Sequence, residues 1–434
     1  MKTINSIPTG KIERAARLVK TGAKVGGNYL KYYGSLLTKS KEEANETLQQ
    51  NNAADVYEGL KTLKGSALKV AQMLSMDQGV LPKAYVDKFS LSQFSVPALS
   101  YPLVVKSFRR NFDLSPNEMF DHFEKDAVHA ASIGQVHTAT KNGVKLAVKV
   151  QYPGVADSIE SDLAIVKPIA LQLLNIDGKA ADVYFQEVKK KLIEETDYEN
   201  ELLQGTAIAK GCSGLEGVVF PRFYEEFSCG KILTMEYMEG IHVSEYCKLK
   251  AGTKEANEVG QYLWDFYMFQ IHELKKVHAD PHPGNFLVNT NNELIALDFG
   301  CMKEIPVDFY EPYFELISDD VMGDDVKFKN TLIKLEILRK DDDIKTVNEL
   351  QSLFKEMLLL ITRPFRSDTF DFSNVDFIEE IKSLANKMMN DKSLRNQDAG
   401  RGSKHFIYMN RTLFGLYNLM MDLKADKIKV NKYK

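Results

Sequence analysis

The stretch HADPHPGNFLVNTNNELIALDFG, His278–Gly300, combines a polar loop with a predicted β-hairpin. Asn285 follows Asp280 by five positions, and Asp298 follows Asn285 by thirteen. Two short apolar runs separated by the polar pair Asn291–Asn292 predict a tight turn between these side chains. Because the hairpin fixes how far the asparagine lies from the second aspartate, the sequence predicts that the three polar side chains belong to one site.

The residue types of this set suit phosphoryl transfer. Asp280 can accept or orient the proton of an attacking hydroxyl group, and Asn285 and Asp298 offer hard oxygen ligands to Mg²⁺. Gly300 lets the chain turn away from the metal. An isolated Asp-Phe-Gly is weak evidence, since a turn at a strand end explains it as well. The whole set at this spacing is specific, and it is the order found in protein-kinase-like sites.

Two further parts of such a site precede this stretch. The alternating run LAVKVQ places Lys149 near the end of a strand, where it is expected to contact the α- and β-phosphates of a nucleotide. The strand KILTMEYM ends in a predicted hinge, residues 235–238, whose backbone at Glu236 and Met238 is expected to bond the adenine edge. Lys149 needs a carboxylate partner, and the predicted helix 189–204 offers several among which the pattern does not choose. They are Glu194, Glu195, Asp197, Glu199 and Glu201.

The stretch HAASIGQVH, His129–His137, has the place of a phosphate-covering loop upstream of Lys149. Such loops are rich in glycine, which lets backbone N–H groups approach phosphates closely, but here Gly134 is the single glycine. Two alanines predict a stiffer loop that favours ADP or slow turnover, and replacing Ala131 with glycine should raise ATP affinity or autophosphorylation. The pattern assigns no role to His129. The residues expected to contact nucleotide are Ala130, Ala131, Ser132, Ile133, Gly134 and Gln135.

Composition argues against several functions. The net charge of −4 and the pI near 6.1 give no reason to expect nucleic-acid binding. The four cysteines form no Cys-x-x-Cys pair, which argues against a zinc site or a disulfide framework. The first residues do not resemble a secretory signal, and no apolar run approaches the roughly 18 residues of a membrane span. We therefore expect a cytoplasmic protein, with peripheral attachment at the inner face of a membrane as the alternative.

The N-terminal segment is basic. Residues 10–31 contain six Lys or Arg side chains and one acid, Glu13, while apolar residues such as Ile12 and Ala16 recur at helical spacing. Such a helix can lie on an anionic membrane surface. It can also pack one face on its own domain and leave the basic face in solvent, and this second interpretation is favoured because glycines weaken any isolated helix here.

The pattern of elements changes along the chain. Helical patterns cover 40–76, 101–112, 155–208 and most of the chain after 243, and strand patterns cover 120–152 and 220–240. The pair Asn142–Gly143 predicts a two-residue hairpin turn. The sequence predicts an α+β, bilobal fold in three segments: an N-terminal helical extension over 1–119, a β-rich lobe with a helical insert over 120–238, and a mainly helical lobe over 239–434.

These motifs resemble those of the UbiB/ADCK family of atypical kinase-like proteins, over roughly residues 10–425. AASIGQVH followed by AVKVQYPGV is similar to the alanine-rich nucleotide loop of that family. LKVAQMLS is similar to its KxGQ motif, with Lys69 and Gln72 at the motif positions. Ala71 stands where the family has glycine, so we expect the close backbone approach that glycine allows to be altered here.

A third family motif, ExD, matches Glu195 and Asp197. In the family, the partner of the phosphate-contacting lysine comes four residues after this aspartate, which selects Glu201 for Lys149. All three acids are expected on one face of a single helix. The resemblance thus implies a regulatory set of Lys69, Gln72, Glu195 and Asp197, and a catalytic set of Lys149, Glu201 and Asp280.

The resemblance also implies a fold and an activity. The N-terminal extension is expected to lie over the active site of a protein-kinase-like fold, in the space that a protein substrate would fill. Family members bind adenine nucleotides with Mg²⁺, and several act as ATPases that support isoprenoid quinone biosynthesis. The expected function is an Mg²⁺-dependent, ATP-binding ATPase or small-molecule kinase of ubiquinone-like or prenyl-lipid metabolism, with a prenyl lipid, a quinone precursor or a membrane surface as partner.

Two alternatives stay open. One is a protein kinase acting in trans, which is opposed by the chain after Asp298, because it runs almost directly into a predicted helix and contains no Ala-Pro-Glu. The other is a nucleotide-gated lipid-binding or scaffold protein that needs no turnover, which the retained catalytic residues oppose.

Overall fold

The computed structural model describes residues 3–4, 11–63, 67, 69–70, 83–90, 98–130, 133–174, 178–390 and 402–433. The protein is α+β, as the sequence predicts, and divides into two compact units. The first unit comprises Met1–Leu202 and Phe223–Tyr237, and the second comprises Leu203–Arg222 and Met238–Lys434. The last crossing between the units, at 237–238, lies in the predicted hinge. The three-segment division drawn from the sequence stays a prediction.

Helices make up much of the first unit. They are α1 (Lys11–Ser35), α2 (Lys41–Leu63), α3 (Lys83–Ser90), α4 (Tyr101–Phe112), α5 (Pro116–Met119), α6 (Val155–Leu174), α7 (Gly178–Glu195) and α8 (Tyr198–Gly211), which continues into the second unit. The helical patterns at 10–31, 101–112 and 155–208 are confirmed. The fourth predicted stretch, 40–76, is helical over 41–63, and its residues 64–66, 68 and 71–76 lie outside the described residues.

Helix α1 packs one face against α2. Thr21 and Asn28 are the buried residues of this face, and Asn28 donates to the side chains of Asn52 and Asp55 at 3.1 and 2.8 Å. A Cβ placed on Gly59 would lie 2.3 Å from Thr21 Oγ1, so this glycine lets the two helices approach closely. The packing agrees with the favoured interpretation of the basic segment, in which one face of the helix contacts its own domain.

The first unit also holds an antiparallel sheet, whose strands lie side by side in the order His122–Phe123, Gly134–Lys141, Val144–Gln151 and Ile232–Glu236. A short parallel pair is formed by β1 (Thr3–Ile4) and β2 (Ala98–Leu99). The sheet is built from β3 (His122–Phe123), β4 (His129–Ala130), β5 (Gly134–Lys141), β6 (Val144–Gln151) and β8 (Ile232–Glu236), with β4 paired to β5. The strand pattern over 120–152 is therefore confirmed.

Strands β5 and β6 form the predicted hairpin. Lys141 and Val144 are partners on either side of the turn. Asn142 and Gly143 have φ angles of 51° and 78°, which are the left-handed values that both central residues of a type I′ turn require. Alternate residues of β6 enter the hydrophobic core, so Lys149 lies on the opposite face of the strand.

The strand–turn–strand prediction for 220–240 is only half right. Its second strand is β8, but the first reduces to an isolated bridge between Phe223 and Met235. Side-chain hydrogen bonds replace some of the backbone bonds that a paired strand would make. Ser228 Oγ accepts the N–H of Thr234 at 2.9 Å, and the Thr234 hydroxyl donates to Phe227 O at 2.7 Å. Such local side-chain bonds compete with strand pairing.

The second unit is mainly helical, as predicted. Its helices are α9 (Val243–Lys250), α10 (Lys254–Phe269), α11 (Val307–Glu315), α12 (Asp319–Met322), α13 (Asp325–Lys334), α14 (Ile344–Ile361), α15 (Val375–Asn390) and α16 (Lys404–Asp422). Its strands are β7 (Val218–Val219), β9 (Ile241–His242), β10 (Lys276–His278), β11 (Phe286–Val288), β12 (Leu294–Ala296), β13 (Met302–Glu304), β14 (Thr369–Phe370) and β15 (Ile428–Lys429). Within the described residues, no helix combines the length and apolarity needed to cross a membrane.

The hairpin predicted between Asn285 and Asp298 is formed by β11 and β12. Its partners run from Phe286 with Ala296 to Val288 with Leu294. Asn292 takes a φ of 63° in the turn, a conformation that asparagine tolerates better than most residues. The hairpin carries Asn285 immediately before β11 and Asp298 shortly after β12, so the sequence prediction of this element is confirmed.

Candidate functional site

In the first unit, Lys149 of β6 forms an ion pair with Glu201 of α8. The distance from Lys149 Nζ to Glu201 Oε1 is 2.5 Å, and only 4% of the Glu201 side chain is exposed. Lys149 Nζ also lies 5.4 Å from the centre of the Tyr198 ring. A charge pair removed this far from water costs desolvation energy, which makes it weak evidence for stability and a candidate for function.

The acids of the ExD motif do not share one helix face. Helix α7 ends at Glu195 and α8 begins at Tyr198, so the expectation of a single continuous helix is wrong. Asp197 causes the break because it caps α8: its Oδ1 accepts the N–H of Asn200 at 3.0 Å, and its carbonyl accepts the N–H of Glu201 at 3.0 Å. Asp197 therefore orients the first turn of the helix that carries Glu201.

Lys69 and Glu195 are joined by a second ion pair. Lys69 Nζ lies 2.9 Å from Glu195 Oε2, and the two side chains are 25% and 15% exposed. The contact links the KxGQ-like stretch to the end of α7, so two residues that the resemblance assigns to regulation are in contact. Gln72 and Ala71 lie outside the described residues.

The predicted phosphate loop is described at its two ends. Ala131 and Ser132 lie outside the described residues, Ala130 is buried in β4, and Gly134 opens β5. A Cβ on Gly134 would lie 2.9 Å from both Tyr198 Oη and Val150 O. The lone glycine of the loop is therefore required because a side chain would clash with Tyr198 and Val150. Its φ angle, in contrast, is one that any residue can adopt.

Three other residues of this loop have contacts within the protein. His129 lies in β4, where its backbone pairs with that of Val136 in β5 and its side chain is exposed. It is therefore an edge-strand residue. Ile133 packs against the core, and its carbonyl accepts the N–H of Tyr152 at 2.9 Å. Gln135 is 1% exposed, with its amide group bonded inside the protein.

The predicted hinge lies at the end of β8. Glu236 is the last residue of that strand, and Tyr237 donates its N–H to Lys145 O at 3.0 Å. Lys145 Nζ lies 4.0 Å from the centre of the Tyr237 ring. Met238 begins the long segment of the second unit. The roles of Glu236 and Met238 in binding adenine stay predictions.

In the second unit, a short loop fixes Asn285 against Asp280. Asn285 Nδ2 donates to Asp280 O at 3.0 Å, and the Asn285 N–H donates to His282 O at 2.9 Å. The amide nitrogen is thus used, and Asn285 Oδ1 has no hydrogen-bond partner among the described residues. An amide oxygen left over in this way is a suitable ligand for a hard cation.

His278, which the sequence analysis did not single out, links the two aspartates. The ring is 1% exposed; its Nε2 lies 2.5 Å from Asp298 O, and its Nδ1 accepts the N–H of Asp280 at 3.4 Å. The N–H of His278 donates to Gln270 Oε1 at 3.0 Å. Gln270 begins a π-helical turn, Gln270–Leu274, of a kind often found at functional sites.

Gly415 of α16 is a second residue that the sequence analysis missed. A Cβ at this position would lie 2.1 Å from Pro281 Cγ, so α16 packs directly against the residue after Asp280. A glycine in a helix interior costs about 1 kcal/mol relative to alanine, and this cost was the available signal that something approaches closely here.

The donor set fits Mg²⁺. Asp298 accepts the N–H of Gly300 through Oδ1 at 3.0 Å, which orients its carboxylate. No group of three His, Cys, Asp or Glu side chains suited to a metal occurs among the described residues. Mg²⁺ needs less than that, because it keeps several waters and is held by one or two protein oxygens together with substrate phosphates.

A lysine–glutamate pair beside an antiparallel sheet and an Asp–Asn–Asp set on a hairpin define a protein-kinase-like protein. A family model described as the ABC1 atypical kinase-like domain matches residues 92–332, and the chain belongs to this family of UbiB/ADCK atypical kinases. Membership confirms the resemblance drawn from the loop and motif residues.

Related proteins agree with this family assignment. The chain is 32% identical over 309 residues to an uncharacterized protein, sll1770, of Synechocystis sp., covering 70% of this chain and 53% of that protein. It is 30% identical to the chloroplastic protein Activity of bc1 complex kinase 8 of Arabidopsis thaliana, covering 68% and 40%. With the mitochondrial atypical kinase COQ8B of Danio rerio the identity is 27%, covering 79% and 55%. The chain thus spans about half the length of these relatives.

The solved structure of an Rv3197–erythromycin complex from Mycobacterium tuberculosis is similar, with a TM-score of 0.59 at 24% identity. The similarity covers 90% of this chain and 96% of that one. It supports the kinase-like fold.

Proposed function

We propose that the protein is an Mg²⁺-dependent, ATP-binding atypical kinase of the UbiB type with ATPase or small-molecule kinase activity. The observation that carries the proposal is the ion pair between Lys149 and Glu201, because a partly buried lysine held by a helix glutamate is how kinases present a cation to nucleotide phosphates. Family membership supplies the reaction class.

Each polar residue then has a role. Lys149 contacts the α- and β-phosphates, and Glu201 keeps that side chain in place. Asn285 and Asp298 hold Mg²⁺, which neutralises charge on the phosphates when it is bound. Asp280 orients or deprotonates the attacking hydroxyl group. The backbone of Glu236 and Met238 and the described ends of the alanine-rich loop complete the nucleotide contacts.

Phosphate release from ATP tests this activity. We expect slow hydrolysis that requires Mg²⁺ and rises with lipid vesicles or a phenolic quinone-precursor mimic. Asp298→Asn should lower the rate by at least tenfold, because it removes a charged metal ligand. Asp308→Asn, at an exposed position of α11, is the matched control and should keep the wild-type rate. Equal rates for both variants would contradict the assignment of Asp298.

The substrate class follows from the family resemblance: the protein supports isoprenoid quinone or prenyl-lipid biosynthesis. The segment after Asp298 favours a small acceptor over a protein, because β13 and then α11 follow within nine residues and leave little chain for a peptide platform. Lipid extracts of a deletion strain should show less quinone and more prenylated precursor than the parent. Unchanged quinones and precursors would remove this part of the proposal.

Two outcomes would redirect it. Phosphorylated proteins that appear in a lysate with labelled ATP and wild-type protein, and not with Asp298→Asn, would favour a protein kinase acting in trans. Full rescue of a deletion strain by Asp280→Asn would show that turnover is dispensable and favour a nucleotide-gated lipid-binding protein or scaffold.

The partner surface we propose is the outward face of α1, which contacts an anionic membrane. At 100° per residue, Val19, Leu30 and Tyr33 fall on the side of α1 opposite the α2-packed residues, and all three are exposed, Leu30 by 76%. Leu37, in the turn that follows α1, is 87% exposed. No acid occurs between residues 14 and 41, where the sequence has seven basic residues. An exposed apolar face beside lysines is the pattern of helices that lie in the membrane interface.

Vesicle flotation tests this surface. The protein should float with vesicles containing anionic lipid and remain behind with neutral ones. Replacing Leu30 and Leu37 together with serine should abolish flotation, whereas Val326→Ser, at a similarly exposed apolar residue of α13, should not. Flotation that survives the double replacement would place the membrane contact elsewhere.

A further inference from the structure

The side chain of Gln135 connects β2 to the start of β5. Gln135 Oε1 accepts the N–H of Leu99 at 2.6 Å, and Gln135 Nε2 lies 2.7 Å from His137 Nε2. His137 Nδ1 lies 2.9 Å from Glu124 O. Gln135 and His137 are 1% and 0% exposed, and as second neighbours they lie on one face of β5. A residue expected to contact nucleotide is therefore committed, through its side chain, to the protein interior.

The direction of every proton in this chain is determined. An amide nitrogen only donates, so His137 Nε2 must accept from Gln135. A carbonyl oxygen only accepts, so the imidazole proton must reside on Nδ1 and be donated to Glu124. The network thus requires the neutral Nδ1–H tautomer of His137. Burial lowers the pKa of His137, which favours the same neutral form, and Phe123 stacks on the ring at 5.0 Å.

The start of β5 is held on its other side as well. Gly134 is confined by Tyr198 Oη and Val150 O, each 2.9 Å from the place of a Cβ. Tyr198 lies under the ammonium group of Lys149, in the same first turn of α8 as Glu201. The end of the predicted phosphate loop and the lysine therefore share one set of supports.

We infer that Gln135 and His137 are positioning residues: Gln135, held in place by His137, hydrogen-bonds β2 to β5, so that Gly134 and the loop end are correctly placed for nucleotide only while β2 is in position. The inference rests on the proposed nucleotide binding. Two contacts then join the N-terminal part of the chain to the residues of the proposed site. One is the ion pair between Lys69 and Glu195, and the other is the hydrogen bond from Leu99 to Gln135. The pairing of β2 with β1 extends this link to residues 3–4.

Nucleotide titration and amide exchange test the inference together. Gln135→Leu removes both amide bonds at nearly constant volume. It should weaken MgADP binding about tenfold, the effect expected for the loss of the one buried hydrogen bond that joins β2 to β5. The Leu99 amide should exchange faster by a similar factor. The matched control is Gln261→Leu, because Gln261 also bonds strand backbone through both amide atoms, at Lys429, and is in the second unit. The control should leave MgADP affinity unchanged.

A second variant distinguishes positioning from general stability. In Gln135→Glu a carboxylate can only accept, so His137 must carry a proton on Nε2 as well, and its ¹⁵N signals near neutral pH should change from the Nδ1–H tautomer to the imidazolium form. MgADP affinity of this variant should then fall as pH rises and that proton is lost. In the wild type it should fall as pH drops. Asp126 is the charged group that acts on His137 here, and it is unchanged in both proteins.

The outcomes separate this inference from the proposed function. A wild type that binds no nucleotide refutes the proposed function, and the Leu99 exchange rate then still tests the link between the strands. Wild-type MgADP affinity in Gln135→Leu, or an equal loss in Gln261→Leu, would overturn the inference. So would an imidazole of the wild type in the Nε2–H tautomer.

Discussion

Lys149, Asn285 and Gly134 are placed by contacts inside the protein, and each contact limits which residue can stand there. Lys149 is fixed by Glu201, and Asn285 by the carbonyl of Asp280. Gly134 is fixed by two oxygens that leave no room for a side chain. At this scale the alanine-rich loop is less unusual than its composition indicates, because its single glycine stands where a Cβ would clash.

Replacing Gly134 with alanine tests this explanation. The added Cβ would lie 2.9 Å from Val150 O, a backbone atom that cannot move without shifting β6. We expect the variant to be destabilised by about 1–3 kcal/mol and to bind nucleotide more weakly. Gly214→Ala is the control, since nothing lies within 4 Å of its Cβ position. Thermal unfolding of the two variants should differ clearly, and equal midpoints would refute the clash.

His272 predicts how stability depends on pH. Burial lowers its pKa from the ordinary 6.5 to about 4, and the charge of Lys275 adds to this effect. Because the unfolded chain binds the proton more tightly, the contribution of His272 to stability is lost as pH falls from about 6.5 to 4, on the order of 3 kcal/mol in all. The free energy of unfolding in urea should therefore differ less between pH 7 and pH 4.5 in His272→Phe than in the wild type. The same difference in both proteins would contradict this.

At the scale of the element, both hairpins were predicted from sequence and the helix break was not. Asn142–Gly143 and Asn291–Asn292 specify their turns locally, so the residues beside them suffice. Asp197 ends one helix run and caps the next, yet the acids around it occur at helical spacing, and a pattern of charges does not separate a cap from a helix interior. The bond between Gln135 and Leu99 joins residues thirty-six positions apart, which no local pattern reports.

The cap at Asp197 has a measurable consequence. Asp197→Ala should cost about 1 kcal/mol of stability and also weaken nucleotide binding, because the turn that carries Glu201 loses its cap. The control is Asp343→Ala. Asp343 caps α14 of the second unit in a similar way, because its side chain accepts the N–H of Thr346. Asp343→Ala should cost the same stability and leave nucleotide binding unchanged. If both variants bind nucleotide as the wild type does, the cap has no part in placing Glu201.

At the scale of the whole molecule, the sequence predicted the class of fold and the family, since the motifs are specific and their order is fixed. The sequence did not indicate His278 and Gly415, which support the loop of Asp280. His278 bonds the Asp280 backbone and the Asp298 carbonyl, and Gly415 lets its helix pack against Pro281. Supports of this kind depend on which helix lies against which loop, and that is decided by packing over the whole unit. The residues proposed to bear the chemistry stand in motifs that the sequence itself displays, whereas the residues that support them do not.

Calorimetric titration with ADP tests most directly the proposal that the protein binds a magnesium nucleotide through Lys149, Asn285 and Asp298. Wild-type protein should bind ADP with Mg²⁺ and at least tenfold more weakly with the metal removed. Lys149→Met should weaken binding both with and without the metal, and Asp298→Asn should abolish the difference that Mg²⁺ makes. Binding that is indifferent to Mg²⁺ in the wild type, or unaffected by Lys149→Met, would contradict the account.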